Sequence, residues 1–365
     1  MLKNTLCLSL LLLVLTVVGC AQPKLPRFVI PPPPDTPRYE FIQLFYSELD
    51  FTRSNLSKSV GELVGEDPVY TFSTPFGIAS DGKGVVYVSD IHQHNVRVYD
   101  FNSGSVHLLA ATAPFATPVG MTVDSKGNIY VADAGVGKVF AYAGIDKPLL
   151  VYEDADHLKK PSAVAISPDQ KRLYVSDAMA GVAVFDLASG KFLFDFAVPS
   201  PPKWRKSVMY SPQGLAFSPK DGLLYVVDIY NARINTYSAD GEYISSFGER
   251  GDQPGTFENP RDIAFDSDGN IYVPEGRRNV VQIFDPDFNL LMNFGAGSSS
   301  GSAWGFASPR HVFIDQNDRI YVAEALGKRF VVWQYMSESY LKRNPFTEAD
   351  RDYLMEYMGS FKKGK

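Results

Sequence analysis

The sequence predicts an all-β fold, a six-bladed β-propeller with short helices near the N-terminus and at the C-terminus. Three observations carry this. First, one unit is written six times: a Pro, an apolar run, a turn, and then Tyr-Val-x-Asp or Tyr-Val-x-Glu. The Pro residues are Pro75, Pro118, Pro161, Pro212, Pro260 and Pro309, and the acids are Asp90, Asp133, Asp177, Asp228, Glu275 and Glu324. The step from Pro to acid is 15 or 16 residues in every copy (Pro75 to Asp90, Pro161 to Asp177), so the inner part of the unit is nearly invariant. Second, successive Pro residues stand 43 to 51 residues apart, the period of one four-stranded blade per repeat. Third, the composition suits short strands and tight turns, with 13% aromatic residues, 29 Gly and 25 Pro.

The chain begins with a targeting segment. Lys3 gives a positive start, and Leu6–Val18 is an apolar run too short to span a bilayer. The run ends in Val17-Val18-Gly19-Cys20, which resembles a bacterial lipobox. That resemblance implies cleavage after residue 19 and lipidation of Cys20, and acyl chains there would hold the protein on a membrane. Ala21 follows, which does not resemble the Asp of lipoproteins retained at the inner membrane, so an outer-membrane address is expected. Residues 20–38 then form a Pro-rich tether, with Pro31-Pro32-Pro33-Pro34 at its centre. Such a segment is expected to be extended and semi-rigid, at about 3 Å per residue. Cys7 lies in the signal, so the mature chain keeps a single Cys and no internal disulfide is possible. Stability must come from the core, which a chain this long can build.

The propeller is expected over 39–340, with blades starting at 75, 118, 161, 212, 260 and 309. Tyr39–Ser47 is strand-like with no partner nearby, while the sixth repeat lacks a fourth strand. The segment is therefore expected to close that blade, which removes exposed edges. Asn55–Val64 reads as a short helix, with Leu56, Val60, Leu63 and Val64 on one face and Gly65 as its stop. Within a blade, as in the second, Met121–Asp124, the turn Ser125-Lys126-Gly127-Asn128, Ile129–Ala132 and Val139–Tyr142 read as strand, turn, strand and strand. Asp, Gly and Asn tolerate the positive φ that such turns need. Residues 341–365 form a helical tail. There Thr347 is the N-cap with Asp350 three residues on, and Leu354, Met355 and Met358 are expected to pack on the propeller.

The repeat resembles the NHL repeat. Phe247-Gly248-x-x-Gly251, Gly255-x-Phe257-x-x-Pro260-Arg261-Asp262-Ile263-Ala264 and Gly269-Asn270-Ile271-Tyr272-Val273 carry the likeness. Asn231-Ala232-Arg233-Ile234 and Pro75-Phe76-Gly77-Ile78-Ala79 extend it. The likeness covers roughly 75–335 and implies a rigid binding platform. It implies no chemistry by itself, since fold is not function.

Strand one of each blade lines the axis, and the loop after Tyr-Val-x-Asp lies on the same face, so residues from every blade converge on one mouth. The two residues after each Pro are Phe76-Gly77, Val119-Gly120, Ser162-Ala163, Gln213-Gly214, Arg261-Asp262 and Arg310-His311. Blades two and three are small and apolar there, whereas blades five and six are cationic and polar. The loops add Arg277, Arg278 and Asn279, then Lys328 and Arg329, then His92 and His94, with Tyr230 from blade four. Two long connections, Ser200–Tyr210 with Trp204 and Arg205, and Gly295–Phe306 with Trp304, are expected at the rim. The binding residues expected are Arg261, Arg277, Arg310, His311, His92, Tyr230 and Gln213. They suit an anionic or carbohydrate ligand, or an acidic group on an envelope protein partner, because planar Arg forks match carboxylates and phosphates. The competing reading is that these Arg pair with the repeat's own acids, notably Glu275 and Glu324, or face water. The six repeat acids themselves read as caps on backbone N–H groups of adjacent loops.

The alternative function is a metal-dependent propeller enzyme of lyase or lactonase type acting at that mouth. Its metal candidates are His92, His94 and His311, a set that resembles in outline peptidyl-α-hydroxyglycine lyase with its His-ligated zinc. His92 and His94 are two apart and so point to opposite sides of a strand, and catalytic zinc wants three protein ligands and an open position. Glu275, Asn279 and Asp262 are the set that would mimic the cation site of gluconolactonase-like propellers. No catalytic residue, resident cofactor or nucleic-acid role is expected, the last because the formal net charge is −6.

Overall fold

The computed structural model describes residues 26–52, 71–111, 115–197, 209–295, 302 and 305–363. The signal, Cys20, the helix at 55–64 and most of the two long connections with Trp204, Arg205 and Trp304 lie outside them. Among the described residues the strands form six antiparallel sheets, five of four strands and one of five. Each sheet is one blade; the five four-stranded blades follow chain order, and the five-stranded one takes its outer strands from the N-terminal part of the chain. Blade one, for instance, is Pro75–Ser80, Val85–Asp90, Asn95–Asp100 and Ser105–Leu108.

The constant step from Pro to acid is a register. Pro75 pairs with Asp90, Pro118 with Asp133, Pro161 with Asp177, Pro212 with Asp228, Pro260 with Glu275 and Pro309 with Glu324. The fixed length is thus that of the innermost hairpin. The acids of blades one, two, three, five and six then clip the chain entering the blade, while Asp228 holds Asn231 in the loop after its strand. Asp90 accepts from the N–H groups of Ser73, Thr74, His92 and Gln93, and Asp177 from those of Lys159, Lys160, Met179 and Ala180. All six carboxylates are fully buried, as the loops they satisfy require.

The core sits between blades. Second strands such as Ile129–Asp133 are buried on both faces, because a neighbouring blade covers each side. Period-two alternation therefore weakens inside and returns in the outer strands, where Leu108, Leu149 and Leu193 are exposed. Blade five has a short first strand, Ala264–Phe265, preceded by the lone Pro260–Glu275 bridge.

Tyr39–Phe45 pairs antiparallel with Arg329–Tyr335 as the outer strand of blade six. Phe45 stacks on Phe330 at 4.6 Å, inside a cluster that also holds Phe72 and Tyr99 of the blade-one side. The preceding segment differs from the extended tether expected over 20–38. Val29–Ile30 adds a fifth strand beside Tyr39–Glu40, and the proline run becomes the loop between them. The reason is its apolar and charged content: Val29 is buried against Met336 and Leu354, and Arg27 forks onto Glu40 at 2.6 and 2.8 Å. Helix α1 (Glu338–Arg343) and helix α2 (Glu348–Lys363) follow the last strand. Thr347 and Asp350 cap α2 reciprocally, at 2.7 and 3.2 Å. Of its three expected anchors only Leu354 is buried; Met355 and Met358 are exposed. The helix lies on the Phe28–Ile30 segment at the outer edge of blade six, with Phe28 edge-on to Tyr357 at 5.7 Å.

Candidate functional site: the mouth of the propeller

Inner strands approach one another closely at the axis, and small residues make this possible. A Cβ on Gly77 would stand 2.0 Å from the Val119 carbonyl oxygen, one on Gly120 2.6 Å from the Ala163 Cα, and one on Gly214 1.9 Å from Asp262 Oδ1. Ser89 ties the first pair together, accepting from Gly77 N–H at 2.7 Å and donating to Val119 O at 3.0 Å. The residues beside these glycines are thereby held at fixed places around the opening.

The opening is a cavity of about 770 Å³ on the face where the Pro residues enter. Blades one to three supply Phe76, Ile91, Val119, Ala134 and Met179, an apolar wall. Blades three to five supply Lys160, Gln213, Tyr230, Arg250, Arg261 and Arg277, with Glu258 the acid among them. The asymmetry expected from the sequence is thus present in space. At the floor a recess of about 10 Å³ is lined by Phe76, Ser162, Gln213, Arg261, Asp262, Arg310 and His311. Below it, a second cavity of about 350 Å³ opens on the opposite face, beside Asp266, Asp315 and Asp318. Asp262 and His311 line both the recess and this lower cavity and so separate the two ends of the axis. His311 Nδ1 is 3.3 Å from Asp262 Oδ2, which also accepts from Val312 N–H at 2.9 Å. Burial pushes the Asp262 carboxyl upward against the pull of His311.

The expected binding residues divide into three groups. Arg261, Arg310, His311 and Gln213 meet at the recess. Arg277 and Tyr230 stand higher on the wall; Tyr230 is exposed, and Arg277 pairs with Glu258 at 3.0 Å. His92 is exposed and does not line the cavity, and His94 turns its Nδ1 to the Ala116 carbonyl. The zinc candidates therefore do not converge: His311 sits on an inner strand at the axis, whereas His92 and His94 belong to a hairpin loop farther out. Among the described residues no three His, Cys, Asp or Glu side chains cluster as metal ligands. Arg250 escaped the sequence reading because it belongs to a blade-to-blade connection, where its guanidinium donates to Tyr230 O at 2.8 Å.

The arginines of the recess do not pair with the repeat acids. Glu275 is taken by the N–H groups of Asn259 and Glu258, at 2.9 and 3.3 Å. Glu324 is taken by Ala307 N–H at 2.7 Å and by Arg329 at 2.8 Å. Among the described residues Arg261 and Arg310 have no carboxylate within 4.0 Å, and the Nε of each is buried with no hydrogen-bond partner. Burial, and then the neighbouring Arg310 and Arg277, push the Arg261 guanidinium down to about 10, with Glu275 offsetting a part; burial lowers Arg310 as well. Arg310 also lies 5.9 Å over the Phe76 ring.

Known proteins match this geometry. A family profile described as SMP-30/Gluconolactonase/LRE-like region matches residues 66–178. Human E3 ubiquitin-protein ligase NHLRC1 is 29% identical over 77 residues, 21% of this chain and 20% of that protein. The rat protein is 27% identical over 103 residues, 28% of this chain and 26% of its own, so the chain spans about a quarter or less of these curated relatives. Among solved structures, a gluconolactonase from Xanthomonas campestris superposes with a TM-score of 0.59 at 16% identity, covering 86% of this chain and 99% of that one. A Bacteroides thetaiotaomicron protein of unknown function gives 0.57 at 18% identity over 72% of this chain and 70% of that one. The fold is that of a six-bladed propeller, and residues 66–178 are similar to the SMP-30/Gluconolactonase/LRE-like family. At such identities the solved structures speak for the fold alone.

In this propeller the gluconolactonase-type cation set does not fit. Glu275 is spent on backbone N–H groups, Asn279 accepts through Oδ1 from Ser308 N–H at 2.7 Å, and Asp262 faces Val312 and His311. The three do not share one open site.

Proposed function

We propose that this chain is a membrane-anchored envelope lipoprotein whose propeller binds a protein or a ligand at its mouth. The observation that supports this best is the mouth itself. It is a pre-formed cavity of about 770 Å³ with one apolar and one cationic wall, held by close-packed inner strands. A rigid opening loses little entropy on binding. The anchor is inferred from the apolar run ending at Cys20, and an outer-membrane address from Ala21. Replacing Cys20 by Ala in cells should abolish incorporation of labelled palmitate and release the protein from the membrane fraction; retention of both would sink the anchor. For the platform, a photo-crosslinking residue at Tyr230 should capture a discrete species that one at Leu193, on an outer strand, does not.

The second reading, a metal-dependent lactonase or lyase, is favoured by the SMP-30/Gluconolactonase/LRE-like match and by the gluconolactonase fold neighbour. It predicts turnover of glucono-lactone by the purified chain with added zinc, calcium or magnesium. Such turnover, lost on His311→Ala, would replace the platform reading.

A further inference from the structure

We infer that the mouth is a carboxylate receptor, in which Arg261 and Arg310 grip the anion and the opposite apolar wall seats the body of the same ligand. This rests on the binding reading above and names its chemistry. The two arginines occupy the same place in consecutive blades, directly after Pro260 and Pro309. Both reach one recess at the axis. Two other arginines withdrawn from solvent have a carboxylate partner, Arg329 in Glu324 and Arg27 in Glu40. Among the described residues Arg261 and Arg310 have no carboxylate partner, and each buries an Nε donor without a hydrogen bond. A desolvated donor left unpaired is costly, and two like charges facing one another add to that cost. A ligand anion relieves both at once.

The class of anion follows from the shape. Nε together with one terminal nitrogen is the edge of a guanidinium that a planar carboxylate meets with two parallel hydrogen bonds. The recess, at about 10 Å³, takes about one oxygen-sized atom. That suits the edge of a planar carboxylate and crowds a tetrahedral phosphate. Beyond the recess Ile91, Val119 and Met179 offer no hydrogen-bonding side chain, so the rest of the ligand is apolar. Gly276 keeps the clamp workable: a Cβ there would press on Arg261 Nε at 3.1 Å.

The test is equilibrium binding to the mature chain carrying Cys20→Ser. The probes are phenylacetate and octanoate, their amides phenylacetamide and octanamide, and inorganic phosphate. A tetrapeptide with an aromatic C-terminal residue, as the free acid or the C-terminal amide, separates a small acid from a protein terminus as the source. At least one free acid should bind ten or more times tighter than its amide. Arg261→Gln and Arg310→Gln should each weaken that binding tenfold or more, while Arg172→Gln, at an ion pair with Asp240 outside the mouth, changes it less than threefold. Because each substitution removes one of two facing charges, the melting temperature without ligand should hold or rise. A purely structural role would instead lower it. Acid and amide binding alike, phosphate binding as tightly as the best acid, or no acid binding at all would each overturn the proposal. If no acid binds while crosslinks from Tyr230 persist, the carboxylate assignment fails and the platform stands. If Tyr230 captures nothing and the acids do bind, the platform for a protein partner fails and the receptor stands.

Discussion

Glu275 shows how one residue can be read correctly in kind and still surprise in detail. It occupies the place held by Asp90 in blade one, and both cap the loop entering their blade. Yet Glu275 accepts through one oxygen, and its Oε1 is buried with no partner. Burial pushes its carboxyl up to about 7, against the pull of the two backbone N–H groups. A carboxyl raised in the folded state favours folding in its protonated form. Its contribution is complete below the ordinary value of 4.5 and is lost as pH rises through about 7. Glu275→Gln should therefore gain stability relative to the wild chain between pH 5 and pH 8, measured as the shift in urea midpoint at each pH. A gain that shrinks toward pH 8 would contradict the assignment. Glu275→Ala, which strands two N–H groups, should cost about 1–3 kcal/mol at either pH.

At the scale of the element, the inner strand is where sequence and space meet. Pro and acid mark its hairpin, and the Gly two residues after Pro75, Pro118 and Pro212 marks where the next blade comes nearest. Two kinds of glycine can be told apart by substitution. Gly77→Ala places a Cβ against the Val119 carbonyl, a backbone group that cannot swing away, and should cost about 3 kcal/mol or more. Gly127→Ala has open space around it but a φ of 88°, and should cost only about 1 kcal/mol of turn strain. Equal losses in urea denaturation would mean that crowding at the axis does not govern the inner strands. The capping of α2 by Thr347 and Asp350 was equally legible, being confined to four residues. Which of its apolar residues would be covered was not, because that depends on Phe28 and Val29, more than 300 positions away in the chain.

For the whole molecule the decisive contact is the ring closure. Tyr39–Phe45 reaches Arg329–Tyr335 across nearly the full chain, and blades one and six also meet through Ser80 and the Tyr321 hydroxyl at 3.3 Å. Phe45→Ala removes a fully buried ring from that seam and should cost about 3–5 kcal/mol. Deleting residues 26–45 should uncover Phe330 and Trp333 and leave an open strand edge, giving aggregation or loss of a single cooperative unfolding transition. A truncated chain that melts like the parent would mean the closure is decorative.

The amino-acid order by itself determined the repeat, the blade count, the hairpin register and the cationic bias of one side of the mouth. Each is written within a hairpin or a single blade, where a side chain and its consequence lie a few residues apart. The tertiary structure alone decided that Arg261 and Arg310 meet at one recess with no acid among the described residues to answer them, that His92 and His94 fall away from His311, and that the segment around Val29 joins a sheet instead of trailing as a tether. Those outcomes depend on which blades become neighbours and on how completely each acid is already engaged. A carboxylate held by backbone N–H groups has little left for a distant guanidinium, and no local pattern records that it has been spent.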